Sequence, residues 1–522
     1  PTPAAHPTPA ARPAPSPAPA FSPAPDPSPA PTLSPAPRRL PLTEAQRQLW
    51  TLAQLSPAGS VAYNLVNALE LRGPVRIDAL GQALQQLAAR HEAIRTVILP
   101  GGEWQEARPE ATIRLDTDDV SALPEPARAA ATSRLLAEES ERPFDLSEGP
   151  MLRARLVRLE ADRHLLVLAV HHILVDGWSL GVLGHELCAL YTATCRGRDA
   201  GLAPALPFRE WVAWQAEHER SAEFRASEAF WLGQLSASTP DLALPADRPR
   251  PASPRMRGAQ QSGALDPALV AAVKAFSRHN GCTPFMTLCA AYLALLHRLS
   301  GQPELIIGCP ASGRPLEAHS SLVGYCTHLL PLRSRCSGDE TFLDFLRSVR
   351  RSLLDAYEHQ DYPFARLVER ARASHDPFKA PLVRAVFNVD RPLALPPLDG
   401  LEASFRPVPA RHTQFDLFLN VLEEGGAMVL YCDYDRDLFD APTVARLLAH
   451  WKTLLAGALA EPTLRVSSLP LLSAEERQTL LVGQNQTAAP FSDGACIHHL
   501  FEAWAERTPE APALSFRGKG RG

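Results

Sequence analysis

The chain has 522 residues, of which 45% are hydrophobic, and its formal net charge of −5 arises from 52 basic and 57 acidic side chains. This length predicts about three folding units. The mixed charge excludes the basic character that nucleic acid or an anionic membrane requires, and no apolar run approaches the ~18 residues of a transmembrane helix. Nine scattered cysteines without a CxxC pair exclude a disulfide framework and a zinc site. We expect a soluble, cytoplasmic piece of a larger protein.

The first segment, residues 1–40, consists largely of Pro and Ala. Such a sequence cannot bury a core and favours polyproline II, so it predicts a disordered, semi-stiff linker to an upstream domain. Folded sequence begins at LPLTE, residues 40–44, in which Thr43 is the predicted N-cap of a first helix.

Strands and helices alternate over the next part of the chain. Hydrophobic patterning predicts a strand over 64–71, a helix from residue 78, a helix over 124–141 and a strand over 152–159. The turn at 160–163 completes a hairpin with an apolar strand that runs to His171. A helical stripe of leucines begins at Leu180.

The stretch HHILVDGWS, residues 171–179, lies between that strand and that helix. Successive strand residues point to opposite faces, so His171 and His172 cannot both face one cavity. Asp176 followed by Gly177 is typical of a turn that returns the carboxylate to the strand end. Three interpretations are open: metal ligands, a structural pair, and a general base or positioner for acyl transfer. Diverging histidines without a further His/Cys cluster disfavour the metal.

The pattern restarts beyond residue 215. We predict helices over 266–279, 285–299, 343–359 and 442–459, and strands over 304–308, 385–389 and 428–434. Two consecutive α/β units without Rossmann glycines or a P-loop indicate a two-lobed enzyme rather than a nucleotide-binding fold.

Seven segments in order resemble the condensation domain of nonribosomal peptide synthetases, over about residues 41–478. They are LTEAQRQLW (42–50), RHEAIRT (90–96), HHILVDG (171–177), FREWVAWQ (208–215), IIGCPASGRP (306–315), YEHQDYPFARLVE (357–369) and SHDPFKAPLVRAVFN (374–388). Several acyltransferase families share HHxxxDG, so the other six motifs make the resemblance specific. Residues 481–512 resemble the linker and first helix of an adenylation domain.

The resemblance implies an α/β fold of two chloramphenicol-acetyltransferase-like lobes, residues 41–215 and 216–478, arranged as a V-shaped pseudo-dimer with the site between them. A closing region around 410–440 would reach back across the first lobe. Residues 479–522 would be a linker and the truncated start of an adenylation domain. Because both lobes belong to one chain, we expect a monomer.

The implied reaction is amide formation. An upstream acyl or peptidyl carrier protein presents a polyketide or peptidyl thioester, and a downstream peptidyl carrier protein presents an aminoacyl thioester. The protein itself would bind no cofactor and no metal, since the substrates arrive on the phosphopantetheine of these partners. The adjoining adenylation domain is a further expected partner.

The resemblance also implies the roles of the site residues. His172 would remove a proton from the amine or orient it. The N–H of Gly177 would face the tetrahedral oxyanion, unless this glycine serves only the turn. Asp176 would pair with Arg314, or less favourably with Arg95. The remaining residues would support the site: His171 as a structural residue, and Trp178 and Ser179 as its lining.

One departure from the family pattern is His328, in GYCTHLLPLR (324–333), where the family commonly has Asn. It indicates a divergent subtype, and together with the Pro/Ala linker it resembles condensation domains of the hybrid polyketide–peptide type. Three alternatives stay open: an epimerization domain, an ester-forming acyltransferase, and a non-catalytic scaffold. The sixth motif disfavours the first of these, and the intact HHILVDG disfavours the last.

Overall fold

The computed structural model describes residues 39–235, 240–251, 255–314, 317–373, 382–390, 395–488 and 496–512. The chain divides into two units, residues 1–38 and 39–522, and the fold below is that of the second. Almost all of the predicted linker over 1–40 lies outside the described residues, as do Pro315 and the first half of the seventh motif.

Fourteen strands are present among the described residues. They are β1 (Arg39–Pro41), β2 (Asn64–Arg72), β3 (Thr96–Ile98), β4 (Trp104–Ala107), β5 (Leu115–Asp119), β6 (Leu152–Glu160), β7 (Arg163–His171), β8 (Gly258–Ala264), β9 (Glu304–Ala311), β10 (His328–Arg335), β11 (Ala385–Asp390), β12 (Glu402–Arg406), β13 (Leu417–Glu424) and β14 (Ala427–Asp435).

The α-helices of the described ranges alternate with these strands. They are α1 (Glu44–Leu55), α2 (Pro57–Val61), α3 (Ile77–Arg90), α4 (Glu92–Arg95), α5 (Glu125–Glu141), α6 (Gly177–Arg196), α7 (Phe208–His218), α8 (Ala222–Leu235), α9 (Pro267–His279), α10 (Pro284–Ser300), α11 (Phe342–Glu358), α12 (Phe364–Ala373), α13 (Ala441–Ala460), α14 (Ala474–Gln478) and α15 (Ile497–Arg507). Short 3-10 turns cover Glu317–Ser321 and Val466–Ser468, and a π-helical turn covers Thr479–Gly483.

Two large sheets organise the fold. The first has five strands in the order β12-β2-β7-β6-β5, and we call the part built on it the first lobe. The second has six strands in the order β10-β9-β11-β13-β14-β8 and defines the second lobe. A small sheet, β1-β4-β3, stands apart from both. The predicted mixed α/β architecture is therefore present.

The predicted hairpin β6–β7 forms the centre of the first sheet, and Glu160 pairs with Arg163 at its turn. Leu165, Leu166 and Val167 of β7 are buried, as their continuous apolar run predicts for a strand covered on both faces. Because β7 ends at His171, the HHILVDG stretch begins where the sheet ends.

The predicted N-cap Thr43 is confirmed by a capping box. The Thr43 hydroxyl accepts the N–H of Gln46, and the Gln46 side chain accepts the N–H of Thr43 at 3.0 Å. Such a cap stabilises a helix by about 1 kcal/mol. In the second lobe, α10 is buried on all sides from Met286 to His297, which explains its uninterrupted apolar sequence.

The segment that crosses to the first lobe differs from the prediction. Strand β12 pairs antiparallel with β2 at the edge of the first sheet, from Glu402 opposite Arg72 to Arg406 opposite Ala68. Most of the predicted crossing region, 410–440, forms β13 and β14 inside the second sheet, while Arg411 at its start contacts Glu141 of α5 in the first lobe at 2.7 Å. Short, half-exposed β12 carries little hydrophobic pattern, which is why the sequence did not reveal it.

No single helix in the described ranges has the length and hydropathy of a membrane span, although α9 and α10 meet the criteria jointly as a pair bent by 106°.

Candidate active site

His171 lies in the core of the first lobe. Its side chain is fully buried, with its ring 6.0 Å from that of Phe144 in an edge contact. The Nδ1 atom accepts the N–H of Ile173 at 3.2 Å, so the proton of the neutral ring is on Nε2. Burial, assisted by His172, lowers the pKa of His171 to about 4. This residue is therefore neutral at physiological pH.

His172 carries its ring proton on the other nitrogen, Nδ1. Its Nδ1 is 2.9 Å from the carbonyl oxygen of Val175, which can only accept, so Nδ1 carries the proton and Nε2 presents a lone pair. Its main-chain N–H donates to the carbonyl of Tyr63 at 2.9 Å. Burial lowers the pKa of His172, with Asp176 opposing the shift. A neutral imidazole with a free Nε2 is the form that accepts a proton.

Asp176 and Arg314 form an ion pair enclosed between the lobes. The guanidinium contacts one carboxylate oxygen at 2.8 Å and the other at 3.0 Å. Cys326 N–H and the Thr327 hydroxyl also donate to the carboxylate, at 3.0 and 3.1 Å. Burial alone would raise the pKa of Asp176, but Arg314 and the hydrogen bonds hold it below its usual value. Arg95, the other expected partner, donates instead to backbone carbonyls such as that of Ala88.

Asp176 also caps α6. Its Oδ1 accepts the N–H of Ser179 at 2.9 Å and the Ser179 hydroxyl at 2.7 Å. Ser179 is fully buried, and its hydroxyl accepts from Arg314 at 2.9 Å and from the N–H of Gly324 at 3.0 Å. Ser179 thus lies behind the ion pair and links α6 to the second lobe.

Gly177 is the first residue of α6 and is exposed. A Cβ built on it would meet no atom of the described chain within 4 Å, and its backbone does not have the positive φ that favours glycine. Neither backbone conformation nor packing by the protein therefore requires glycine here. Trp178 beside it is half-exposed, and its indole N–H donates to the carbonyl of Ser320 in the second lobe at 2.7 Å.

Comparisons with known proteins agree with this geometry. A family model described as "Condensation domain" matches residues 37–481. The chain belongs to the condensation domain family. It is 37% identical over 486 residues to chondramide synthase cmdD of Chondromyces crocatus, in an alignment that covers 92% of this chain and 12% of that protein. It is 33% identical over 483 residues to tyrocidine synthase 3 of Brevibacillus parabrevis, in an alignment that covers 92% of this chain and 7% of that protein.

A solved structure shares the fold of this condensation domain. The X-domain in its complex with OxyB from teicoplanin biosynthesis has a TM-score of 0.73 and 28% sequence identity, over 84% of this chain and 97% of that chain. The predicted family and α/β fold class are thus confirmed. The chain spans a small part of the curated relatives named above.

The second motif of the condensation domain supports α6 from the side. His91 Nε2 lies 2.8 Å from the Glu186 carboxylate, and Arg90 contacts the same carboxylate at 2.9 and 3.2 Å. Burial would raise the pKa of Glu186, but His91 and Arg90 lower it to about 2. The ion pair between Arg90 and Glu186 fixes α6, the helix that begins at Gly177.

Sequence reasoning missed two tyrosines, one beside each histidine of the HH pair. The ring of Tyr325 makes an edge contact with that of His172 at 4.9 Å, and Tyr63 lies 6.5 Å from His171. Tyr63 belongs to none of the seven motifs, and Tyr325 lies in GYCTH, three residues before His328. The contact joins residues far apart in the chain, which local patterns do not reveal.

His328, which departs from the family pattern, is buried at the start of β10, opposite Ala311 of β9. Burial lowers its pKa to about 4, with a smaller opposing effect of Asp176. Among the described residues, one group of side chains has metal-ligand spacing: exposed Cys496, His498 and His499 at the start of α15. It includes none of the site residues above.

Proposed function

We propose that this condensation domain joins a carrier-bound acyl thioester, polyketide or peptidyl, to the amine of a carrier-bound aminoacyl thioester. The observation that carries the proposal is the neutral His172, whose Nδ1 is held by the Val175 carbonyl and whose ring contacts Tyr325 of the second lobe. A thioester is already activated, so the protein needs to align the two substrates and to accept the amine N–H, by hydrogen bonding or by proton transfer.

The reaction balances without a cofactor. The amine nitrogen attacks the thioester carbon, the carbonyl becomes a tetrahedral oxyanion, and the carbon–sulfur bond then breaks. The new bond is an amide, and the proton lost by the amine ends on the leaving pantetheine thiol. His172 Nε2 accepts the amine N–H in this step, by hydrogen bonding or by transfer.

Asp176 supports the site without acting as a base. Both of its oxygens are occupied by Arg314 and by backbone and hydroxyl donors. It fixes the N-terminus of α6, where Gly177 leaves open space. We propose that the N–H of Gly177, at the positive end of the helix dipole, stabilises the oxyanion.

The partners follow from the reaction. They are an upstream acyl or peptidyl carrier protein and a downstream peptidyl carrier protein, each bringing a phosphopantetheine arm, with an adenylation domain adjoining residues 479–522. The relatives are synthases many times longer than this chain, which supports a modular setting. We further propose a polyketide donor, a monomeric domain and a cytoplasmic location.

The test loads two carrier proteins, one with an acyl donor and one with an amino acid, and follows the downstream carrier by mass spectrometry. Amide formation adds the acyl mass to this carrier. If a hydroxy-acid acceptor alone is extended, ester formation replaces the proposal. If the α-proton of the donor exchanges with solvent deuterium and nothing is transferred, epimerization replaces it.

A docking scaffold is the second candidate, because a structural relative at 28% identity is a domain in complex with OxyB. The same experiment separates the two functions, since a scaffold leaves both carriers unchanged. The free Nε2 of His172 and the enclosed Asp176–Arg314 pair favour catalysis.

A further inference from the structure

Three side chains that can bind a metal come together at the start of α15. They belong to Cys496, His498 and His499, and each offers one ligand atom, a sulfur or a ring nitrogen, within 4.8 Å of the other two. All three residues are exposed, so an ion can reach them from solvent. We expected no zinc site because the chain has no CxxC pair, but one cysteine with two histidines supplies zinc ligands without a second cysteine.

The local backbone turns Cys496 and His499 toward each other. Cys496 is the N-cap of α15 and has an extended backbone, and the helix begins at Ile497. The main-chain N–H of Cys496 donates to Nδ1 of His499 at 3.3 Å, and the N–H of His499 donates to the carbonyl of Cys496 at 2.9 Å. These two contacts hold the His499 ring beside the residue that carries the thiol, with a nitrogen lone pair directed toward that residue.

His498 lies against the same ring. Adjacent residues of a helix project about 100° apart, yet the ring centroids of His498 and His499 are 4.1 Å apart, with an angle of 57° between the ring planes. Tetrahedral zinc, with Zn–S of about 2.3 Å and Zn–N of about 2.1 Å, separates its ligand atoms by about 3.5 Å. Because the side chains are exposed, small rotations about their χ angles bring the three ligand atoms to this spacing.

The chemistry of the three ligands selects the metal. Thiolate and imidazole are ligands of Zn²⁺, whereas Mg²⁺ and Ca²⁺ prefer oxygen. Three protein ligands leave a fourth tetrahedral position for water. The helix dipole opposes a dication at an N-terminus, and the charge of the thiolate offsets part of this repulsion. The site should therefore bind zinc more weakly than a zinc finger with four protein ligands does.

We propose that Cys496, His498 and His499 bind one Zn²⁺ ion through the thiolate and one ring nitrogen of each histidine, with water in the fourth position. The ion links the N-cap of α15 to the first turn of the helix and so fixes where the helix begins. This helix lies in the segment that follows the condensation domain, which ends near residue 481. The inference is independent of the proposed function, because none of the three residues belongs to the site around His172.

The test titrates ZnCl2 into the whole chain by calorimetry, with the thiols reduced and bound metal first removed by a chelator. We expect one ion per chain with a Kd of about 1–10 μM, and at least ~10-fold weaker binding in Cys496→Ser, His498→Ala and His499→Ala. The matched controls Cys282→Ser and His185→Ala remove a half-buried thiol and an exposed imidazole outside the cluster and should bind as wild type. Equal binding by wild type and the triple variant indicates an adventitious ion only and overturns the inference.

Cobalt tests the sulfur ligand directly. Co²⁺ substitutes for Zn²⁺ in tetrahedral sites and shows thiolate-to-metal charge-transfer absorption when a cysteine is bound. This absorption should appear in wild type and Cys282→Ser and be absent from Cys496→Ser; its persistence in Cys496→Ser overturns the inference.

Hydrogen exchange tests the structural effect of the ion. Zn²⁺ should slow the exchange of main-chain amides in the first turn of α15 in wild type and leave Cys496→Ser unchanged. Exchange that is equally fast in wild type with and without bound Zn²⁺ contradicts the claim that the ion fixes the start of the helix.

Discussion

Arg314 of the second lobe contacts both carboxylate oxygens of Asp176 in the first lobe, at 2.8 and 3.0 Å. Both side chains are almost completely buried, with exposures of 3% and 0%. The pair joins the end of the HHILVDG stretch to the segment that follows β9. Because further donors fill the carboxylate, it holds the two lobes together at the site and takes no proton itself.

Removing one partner of this pair should destabilise the protein strongly. Asp176→Ala or Arg314→Ala leaves a buried charge without its partner. We expect either substitution to lower the free energy of unfolding by about 3–5 kcal/mol. The double variant should lose less than the sum of the single variants, because no unpaired charge remains. Urea unfolding of the four proteins measures this coupling. Strictly additive effects would show that the two residues do not interact.

His172 should stay in its neutral form at mildly acidic pH. Burial lowers the pKa of His172 below the ordinary histidine value of about 6.5. The reaction requires a neutral Nε2 and a neutral acceptor amine, whose ordinary pKa is about 8. After division by the fraction of neutral amine, the rate of single-turnover amide formation should be constant through pH 7 and 6.5 and decline only below the lowered pKa of His172. A remaining midpoint at or above about pH 7 would contradict a desolvated His172.

Stability should fall between about pH 6.5 and pH 4 because of buried histidines. The folded pKa of His328 is about 4, so the unfolded chain binds more protons in this window. His328 therefore contributes stability above pH 6.5 that is lost as the pH falls toward 4. His328→Asn should reduce the slope by up to about 1.4 kcal/mol per pH unit. Unfolding at pH 5 and pH 7 tests this, and an identical slope in both proteins refutes it.

Gly177→Ala should impair activity and leave the fold intact. The added methyl group meets no protein atom within 4 Å. Because we propose that the N–H of Gly177 contacts the oxyanion, this methyl group would lie beside the bound substrate. Gly81→Ala in α3 is the control, since its Cβ also meets nothing and alanine stabilises a helix by about 1 kcal/mol relative to glycine. We expect at least a ~10-fold lower kcat/KM for Gly177→Ala only. Full activity would assign Gly177 to the turn alone.

The sequence was informative where a local pattern reflects local structure. Alternating residues located β6, continuous apolar runs located β7 and α10, and the resemblance selected Arg314 as the partner of Asp176. It failed where contacts join distant segments. Strand β12 is a short edge strand without a distinct pattern, and the approach of Tyr325 to His172 depends on how the lobes meet. The free Nε2 of His172 depends on a hydrogen bond to Val175 that no motif encodes.

The most direct test of the central claim compares wild type, His172→Ala and His185→Ala in single-turnover transfer between two loaded carriers. His185 is the matched control because it lies exposed on α6, outside the site. Wild type and His185→Ala should both extend the downstream carrier by the acyl mass. His172→Ala should stay folded and lose the transfer. Transfer by His172→Ala at the wild-type rate would contradict the claim that His172 Nε2 accepts the N–H of the attacking amine.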